Sequence, residues 1–303
     1  MPVLKIKKIA RLTGHNAAIF ALTPGNTPQY FLSGAGDGWV VRWNPQEPEI
    51  GSLIAKVETQ IFSLLNLPDL NKVVVGNMNG GVHWVDLEEP ALTKNMAHHE
   101  KGVFDIFRVQ DAVFTIGGDG KITRWSVEQA KAEESFYLSN QSLRSATFHP
   151  QRNEIAVGAS DHSIYVLDAD SLALKHTIPH AHAHSVFTVK YSPDGRYLLS
   201  GGRDAQLKIR DTSLGFQEVF SQPAHWFTIN HIAFHPSGNW FATASRDKTI
   251  KIWDATSFEL LKVLEVVRDG GHTHSVNRLL WIPPDNYLIS ASDDRTMIVW
   301  KVD

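Results

Sequence analysis

The chain has no cysteine, so disulfides, thiolate nucleophiles and cysteine-based zinc sites are excluded. It also lacks an excess of positive charge: 29 Lys and Arg stand against 32 Asp and Glu, a net charge of −3. Both signs are interspersed, whereas a dedicated nucleic-acid binder shows a basic stripe. No segment is long and apolar enough to span a bilayer. The first twelve residues spread Lys5, Lys7, Lys8 and Arg11 among Val3, Leu4, Ile6 and Ile9, without the uninterrupted apolar stretch of a secretory signal or anchor. These absences give the expectations of a cytoplasmic setting, no membrane association and no nucleic-acid partner.

What the chain does have is a repeat. The stretch Thr243-Ala-Ser-Arg-Asp247-Lys-Thr-Ile-Lys-Ile-Trp253-Asp254 reads as two short strands joined by a tight turn at Asp247-Lys248. Variants of it recur at Asp37, Asn79, Asp119, Asp161, Asp204 and Asp294, with separations of 40 to 47 residues. Six residues after each turn residue come Trp43, Val85, Trp125, Leu167, Arg210, Trp253 and Trp300 in turn. Seven copies at a near-constant period mean a repeat architecture. Strand-like stretches such as 185–191 and 197–201, separated by the Pro/Gly turns at 193–195 and 236–238, make each copy a small antiparallel sheet.

These copies resemble the WD-repeat β-propeller family. Its Gly-His near the start of a repeat appears as Gly14-His15 and Gly271-His272, and its Trp-Asp near the end as Trp253-Asp254. The resemblance implies an all-β, seven-bladed propeller with four-stranded antiparallel blades, as a single domain over 1–303. The blades are placed at 13–54, 55–96, 97–136, 137–179, 180–221, 222–267 and 268–303. Residues 1–12 are expected to close the ring as the outermost strand of blade seven, removing an open sheet edge. Their lysines read as a solvated strand face rather than a nucleic-acid arm, and residues 268–271 as a loop between blades six and seven.

Four blades carry a complete polar set: His15, Ser33, Asp37 and Trp43; His99, Thr115, Asp119 and Trp125; His225, Thr243, Asp247 and Trp253; His272, Ser290, Asp294 and Trp300. Ser, His and Asp together suggest a hydrolytic triad, but a catalytic site is needed once and this set repeats. An imidazole can donate to a carboxylate and accept from a hydroxyl, which in turn accepts the donor-only indole N–H. The family resemblance implies the same structural tetrad. Blade five offers His182, Ser200 and Asp204 with Arg210 in place of Trp. Blade two (Val75, Asn79, Val85) and blade four (Val157, Asp161, Leu167) lack the set and are expected to rely on apolar packing alone. The run His180-Ala-His182-Ala-His184 would put three imidazoles on one face if extended, yet His182 is claimed by blade five. No metal, cofactor or catalytic residue is assigned.

Three positions per blade look towards the narrow face in proteins of similar fold. Five residues after the His position stand Phe20, Phe62, Phe104, Arg144, Phe187, Asn230 and Asn277. Two residues earlier come the mostly small Ala18, Gln60, Gly102, Ser142, Ser185, Thr228 and Ser275. Just before the turn residue come Gly36, Met78, Gly118, Ser160, Arg203, Arg246 and Asp293. The pattern is an aromatic sector over blades one to three, with Arg144, Arg203 and Arg246 on the far side. Aromatics and arginines are enriched at binding hot spots, so an apolar or cationic partner side chain is expected near Phe62 and Phe104, and acidic groups at the arginines. The alternative is that the phenylalanines only pack against neighbouring blades; Trp226 either extends the patch or is buried. The expected function is a non-catalytic scaffold or adaptor binding a protein or peptide on the narrow face, as a monomeric propeller within a complex. The alternatives are a propeller enzyme or small-ligand binder at the channel mouth, and a nucleic-acid binder.

Overall fold

A computed structural model of the chain describes residues 4–303, Pro284 by its backbone alone. Met1, Pro2 and Val3 of the expected closing strand lie outside the described residues. Among the described residues the strands form seven four-stranded sheets, all antiparallel. In blade one the order from the centre outwards is Ile19–Pro24, Phe31–Ala35, Trp39–Trp43 and Ser52–Lys56, and blades two to six repeat it. The innermost strands touch one another in a cycle that passes from Val276–Ile282 back to Ile19–Pro24.

The N-terminal strand Ile6–Leu12 is the outermost strand of blade seven. It pairs with Met297–Val302, Ile6 opposite Val302 and Leu12 opposite Met297, and Lys5 and Asp303 exchange backbone hydrogen bonds. Its basic residues are not simply a solvated face. Lys8 Nζ donates to the Gly270 carbonyl at 3.1 Å, and Arg11 donates to the Gly270 and Gly271 carbonyls and to Thr296 Oγ1. The connection they hold contains one helical turn, Val266–Asp269, ended by Gly270 at φ 65°. In four blades the outer strand runs on to Lys56, Ala97, Tyr137 or Pro223, slightly past the expected blade ends. It continues until it pairs with the first residue of the third strand, as Lys56 does with Trp39.

Second strands such as Phe31–Ala35 and Glu154–Ala159 are buried along their whole length, while the outer strand Lys131–Tyr137 is mostly exposed. This contrast follows from the packing: each sheet is covered on both faces by the neighbouring sheets, and its outer strand is the part most open to water. The apolar interior is accordingly divided into seven clusters, each between two consecutive blades. Leu67, Val74 and Trp84 of blade two meet Val103, Val113 and Trp125 of blade three, and Leu12, Ile289 and Val299 of blade seven meet Ile19 and Phe31 of blade one. Such nearest-neighbour cores are the energetic unit of a repeat protein.

Every turn between second and third strands has a left-handed residue just after its Asp or Asn. Gly38, Gly80 and Gly120 fill this place in blades one to three, and His162, Ala205, Lys248 and Arg295 in the others. At Gly120 a Cβ would run into the Ser139 carbonyl oxygen, so both the backbone and the packing require glycine there.

Candidate functional site

The polar sets form as connected networks beside this turn. In blade six His225 Nδ1–H donates to Asp247 at 2.9 Å, Thr243 donates its hydroxyl to Nε2 at 2.7 Å, and Trp253 Nε1–H donates to the same hydroxyl oxygen at 2.9 Å. Blades one, three and seven repeat this with distances of 2.7 to 3.2 Å. Each carboxylate also accepts the backbone N–H that follows its His, Trp226 in the case of Asp247. Ser33, Thr115, Thr243 and Ser290 are 0% exposed, so no substrate reaches them, and the networks are structural. In blade five Arg210 takes the place of the indole and closes the network on Ser200.

The expectation for blades two and four is corrected. Blade two buries Asn77, whose carbonyl accepts the N–H groups of Asn79 and Gly81 and whose amide donates to His83 Nε2 at 2.8 Å; His83 Nδ1–H then donates to Asn95 at 2.7 Å. In blade four the Asp161 carboxylate accepts from the Ser139 hydroxyl, which stands at the His position, and from Tyr165 at 2.6 Å. The template residues are absent because other side chains satisfy the same turn. The three histidines of 180–184 do not share a face: the backbone turns at His180 (φ 49°), His182 is buried against Asp204 and Ser200, and His180 and His184 are exposed. Among the described residues no three His, Asp or Glu side chains are gathered as a metal would require.

The positions expected to face a partner do converge. Strand pairing is interrupted once in each innermost strand, and the unpaired residue is Phe20, Phe62, Phe104, Arg144, Phe187, Asn230 or Asn277. Each is a β-bulge that re-aims a side chain, and each follows a fully buried aliphatic residue, from Ile19 to Val276. All seven are half-buried and line one pocket of about 300 Å³ at the mouth of the channel, together with Arg278. The other two sets meet around it: in every blade the residue before the turn donates its N–H to the carbonyl of the mostly small residue, as Gly36 to Ala18 at 2.8 Å and Arg246 to Thr228 at 3.0 Å.

The pocket wall is a continuous run of rings and one cation. Phe20 meets Phe62 edge-on at 5.3 Å, Phe62 stacks on Phe104 at 5.5 Å, and the Arg144 guanidinium lies 4.5 Å from Phe104 and 5.0 Å from Phe187. The expectation of arginines on the far side is therefore corrected for Arg144, which sits inside the aromatic sector because its strand lies between those of Phe104 and Phe187. Arg203 and Arg246 are exposed and do not line the pocket. Asn230 and Asn277 spend their amide N–H groups within the scaffold: Asn230 ties blade six to Ser275 and Val276 of blade seven, and Asn277 ties blade seven to Ile19 of blade one and to Asp293 of its own blade. At the pocket floor Arg278 donates to Asp105 at 3.0 Å, an ion pair from blade seven to blade three. Nothing in the repeat template signals this pair, since Asp105 and Arg278 are the residues just past the bulge. On the same face Trp226 is 87% exposed, Phe227 59% and Met78 47%.

Comparison with known proteins agrees with this architecture. The family model described as WD domain, G-beta repeat matches residues 6–44, 173–211, 216–254 and 259–301, together more than half of the chain. All four matched stretches begin at the outer strand of one blade, or one residue before it, and run into the next blade, so the sequence repeat is offset from the blade by one strand. The chain is 23% identical over 266 residues to the 77 kDa echinoderm microtubule-associated protein of Lytechinus variegatus, covering 86% of this chain and 40% of that protein. It is 26% identical over 169 residues to Autophagy-related protein 16 of Arabidopsis thaliana, 54% of this chain and 33% of that protein. It is also 26% identical over 152 residues to WD repeat-containing protein 90 of Xenopus tropicalis, 47% of this chain and 8% of that protein. The chain thus spans less than half the length of these relatives. The crystal structure of the WD40 beta propeller domain of Doa1 superposes with a TM-score of 0.84 at 17% identity, covering 98% of this chain and 97% of that one.

Proposed function

The chain belongs to the WD-repeat family, and from that premise we propose that it is a non-catalytic scaffold that docks a protein segment on the face carrying the seven bulges. The observation that carries the reading is the convergence of one bulge residue from every blade on a single pocket, with Trp226 and Phe227 exposed on the same face. Exposed aromatic rings on a rigid platform are what protein interfaces use as anchors. The buried hydroxyls argue against hydrolysis, as set out above. Relatives named for microtubule association and autophagy are in keeping with a cytoplasmic adaptor working inside a larger assembly, a setting included in this proposal.

The experiment is affinity co-purification with mass spectrometry, comparing the natural chain with Trp226→Ala, Phe227→Ala and with Phe62→Asp, Phe104→Asp, each shown to fold by its thermal melt. A protein lost from both variants, and binding the purified natural chain directly, is the expected result. Equal recovery by natural chain and variants would place any interface elsewhere.

A further inference from the structure

The Arg144 guanidinium lies over two aromatic rings and has a single hydrogen-bond partner. Phe104 and Phe187 flank the guanidinium at 4.5 and 5.0 Å, and Nε–H donates to Ser160 Oγ at 2.9 Å. Among the described residues Nη1 and Nη2 have no hydrogen-bond acceptor and no carboxylate within salt-bridge distance. Burial pulls the Arg144 pKa below its ordinary value, with no anion of the chain opposing it. The Asp105 carboxylate, which reaches the Ala146 N–H two residues beyond Arg144, is spent on that bond and on Arg278.

A half-buried guanidinium with no counter-charge has lost part of its hydration without the pairing that would offset the loss. Here the rings of Phe104 and Phe187 and the Ser160 hydroxyl hold the group at the wall of the pocket. A fork pre-set in this way matches a carboxylate with two parallel N–H bonds. The same geometry disfavours a cationic ligand, because Arg144 already lies over the Phe104 and Phe187 rings and places a positive charge at the pocket wall.

We propose that the pocket receives an aspartate or glutamate side chain of the docked protein segment, its carboxylate on the Nη edge of Arg144 and its neighbouring apolar residue against Phe20 and Phe62. This rests on the docking reading above. It keeps the sequence-based expectation of an apolar side chain near Phe62 and replaces the cationic alternative with an anionic group at Arg144.

The test is panning of the intact chain against a phage-displayed library of random dodecapeptides, followed by titration of synthetic copies of the enriched peptides. The expected outcome is a motif with one fixed acidic residue next to an apolar one. Its affinity should fall about tenfold or more on Arg144→Gln, as for removal of one partner of a desolvated charge pair, and less on Arg144→Lys. Changing the peptide's Glu to Gln should cost a similar factor in the natural chain and almost nothing in the Arg144→Gln chain. That peptide-side substitution needs no change in the protein and stands even if Arg144→Gln fails to fold. Enriched peptides lost on Phe62→Asp but lacking an acidic residue, or centred on Lys or Arg, would overturn the carboxylate and leave the docking face intact. Peptides insensitive to both Phe62→Asp and Arg144→Gln, or no enrichment at all, would overturn both.

Discussion

Arg210 Nη1 donates to the Ser200 hydroxyl at 3.2 Å, taking the part that Trp43, Trp125, Trp253 and Trp300 play in their blades. The fork also does what an indole cannot: Nη2 reaches the Ala181 carbonyl at 3.0 Å and Glu218 at 2.9 Å. Arg210→Met keeps most of the volume and removes all three donors. It is expected to lower stability by about 1–3 kcal/mol, the cost of leaving buried acceptors unpaired, measured by denaturant unfolding.

Asn77→Leu probes the network that replaces the tetrad in blade two. The substitution is close to isosteric and would be neutral if apolar packing alone held the blade. Because it strands His83 and two turn N–H groups, a loss of about 1–3 kcal/mol is expected. An unchanged unfolding midpoint would show that the network contributes nothing.

Removing the carboxylate of a complete tetrad has the same logic. Asp247→Ala leaves His225 and the N–H groups of Trp226 and Thr249 without their acceptor. The melting temperature should fall, and hydrogen exchange at Trp226 and Thr249 should speed up more than elsewhere.

The networks also set a pH dependence. His15, His182 and His225 have pKa values below 6.5, chiefly because burial disfavours the imidazolium, with the facing aspartate opposing. Burial raises the Asp119 carboxyl, but the bond and charge of His99 and the N–H groups of Glu100 and Lys121 outweigh it and bring it to about 2. Every one of these shifts is downward, so the unfolded chain binds more protons on acidification. The contribution of the histidines is full above pH 6.5 and declines below it; that of Asp119 is full above 3.8 and is lost towards 2. Melting temperature should be flat above neutrality, fall below pH 6.5 and fall faster below about 4. A maximum in the acid range would contradict the assignment.

Gly120→Ala should be among the most damaging single substitutions at an exposed-looking turn, since it combines positive φ with a clash against the Ser139 carbonyl. The loss is expected to exceed the about 1 kcal/mol of a simple left-handed alanine. Lys248→Gly at the equivalent turn should be neutral or stabilising, and the pair of melts separates backbone strain from the clash.

The fold and the tetrads were legible because each depends on residue types at fixed spacing: one His, one hydroxyl, one Asp and one Trp, with a constant offset to the turn. The seven bulge positions were legible for the same reason, as a constant step from the His. Blades two and four were misread because their networks use different registers. Asn77 stands two residues before the turn instead of at it, and Tyr165 four residues after, so a search at template positions passes over both. An Asn closing a valine-rich strand, Lys72–Asn77, was the available signal. The order of blades three, four and five already put Arg144 between Phe104 and Phe187; its placement was misread because the aromatic sector was drawn to end at blade three, although Phe187 continues it in blade five. The Asp105–Arg278 pair was hidden, joining residues 173 apart in sequence.

Closure by the N-terminal strand has a mechanical consequence. Lys5 and Asp303 lie side by side, and the strands that follow them inward are antiparallel partners, Ile6 with Val302 first. A pull applied between these two residues loads the pairs one after another from that end, as a zipper opens, instead of shearing them together. Blade seven should yield first and at low force, and its inner strands would then present an unpaired edge while the other six blades remained folded.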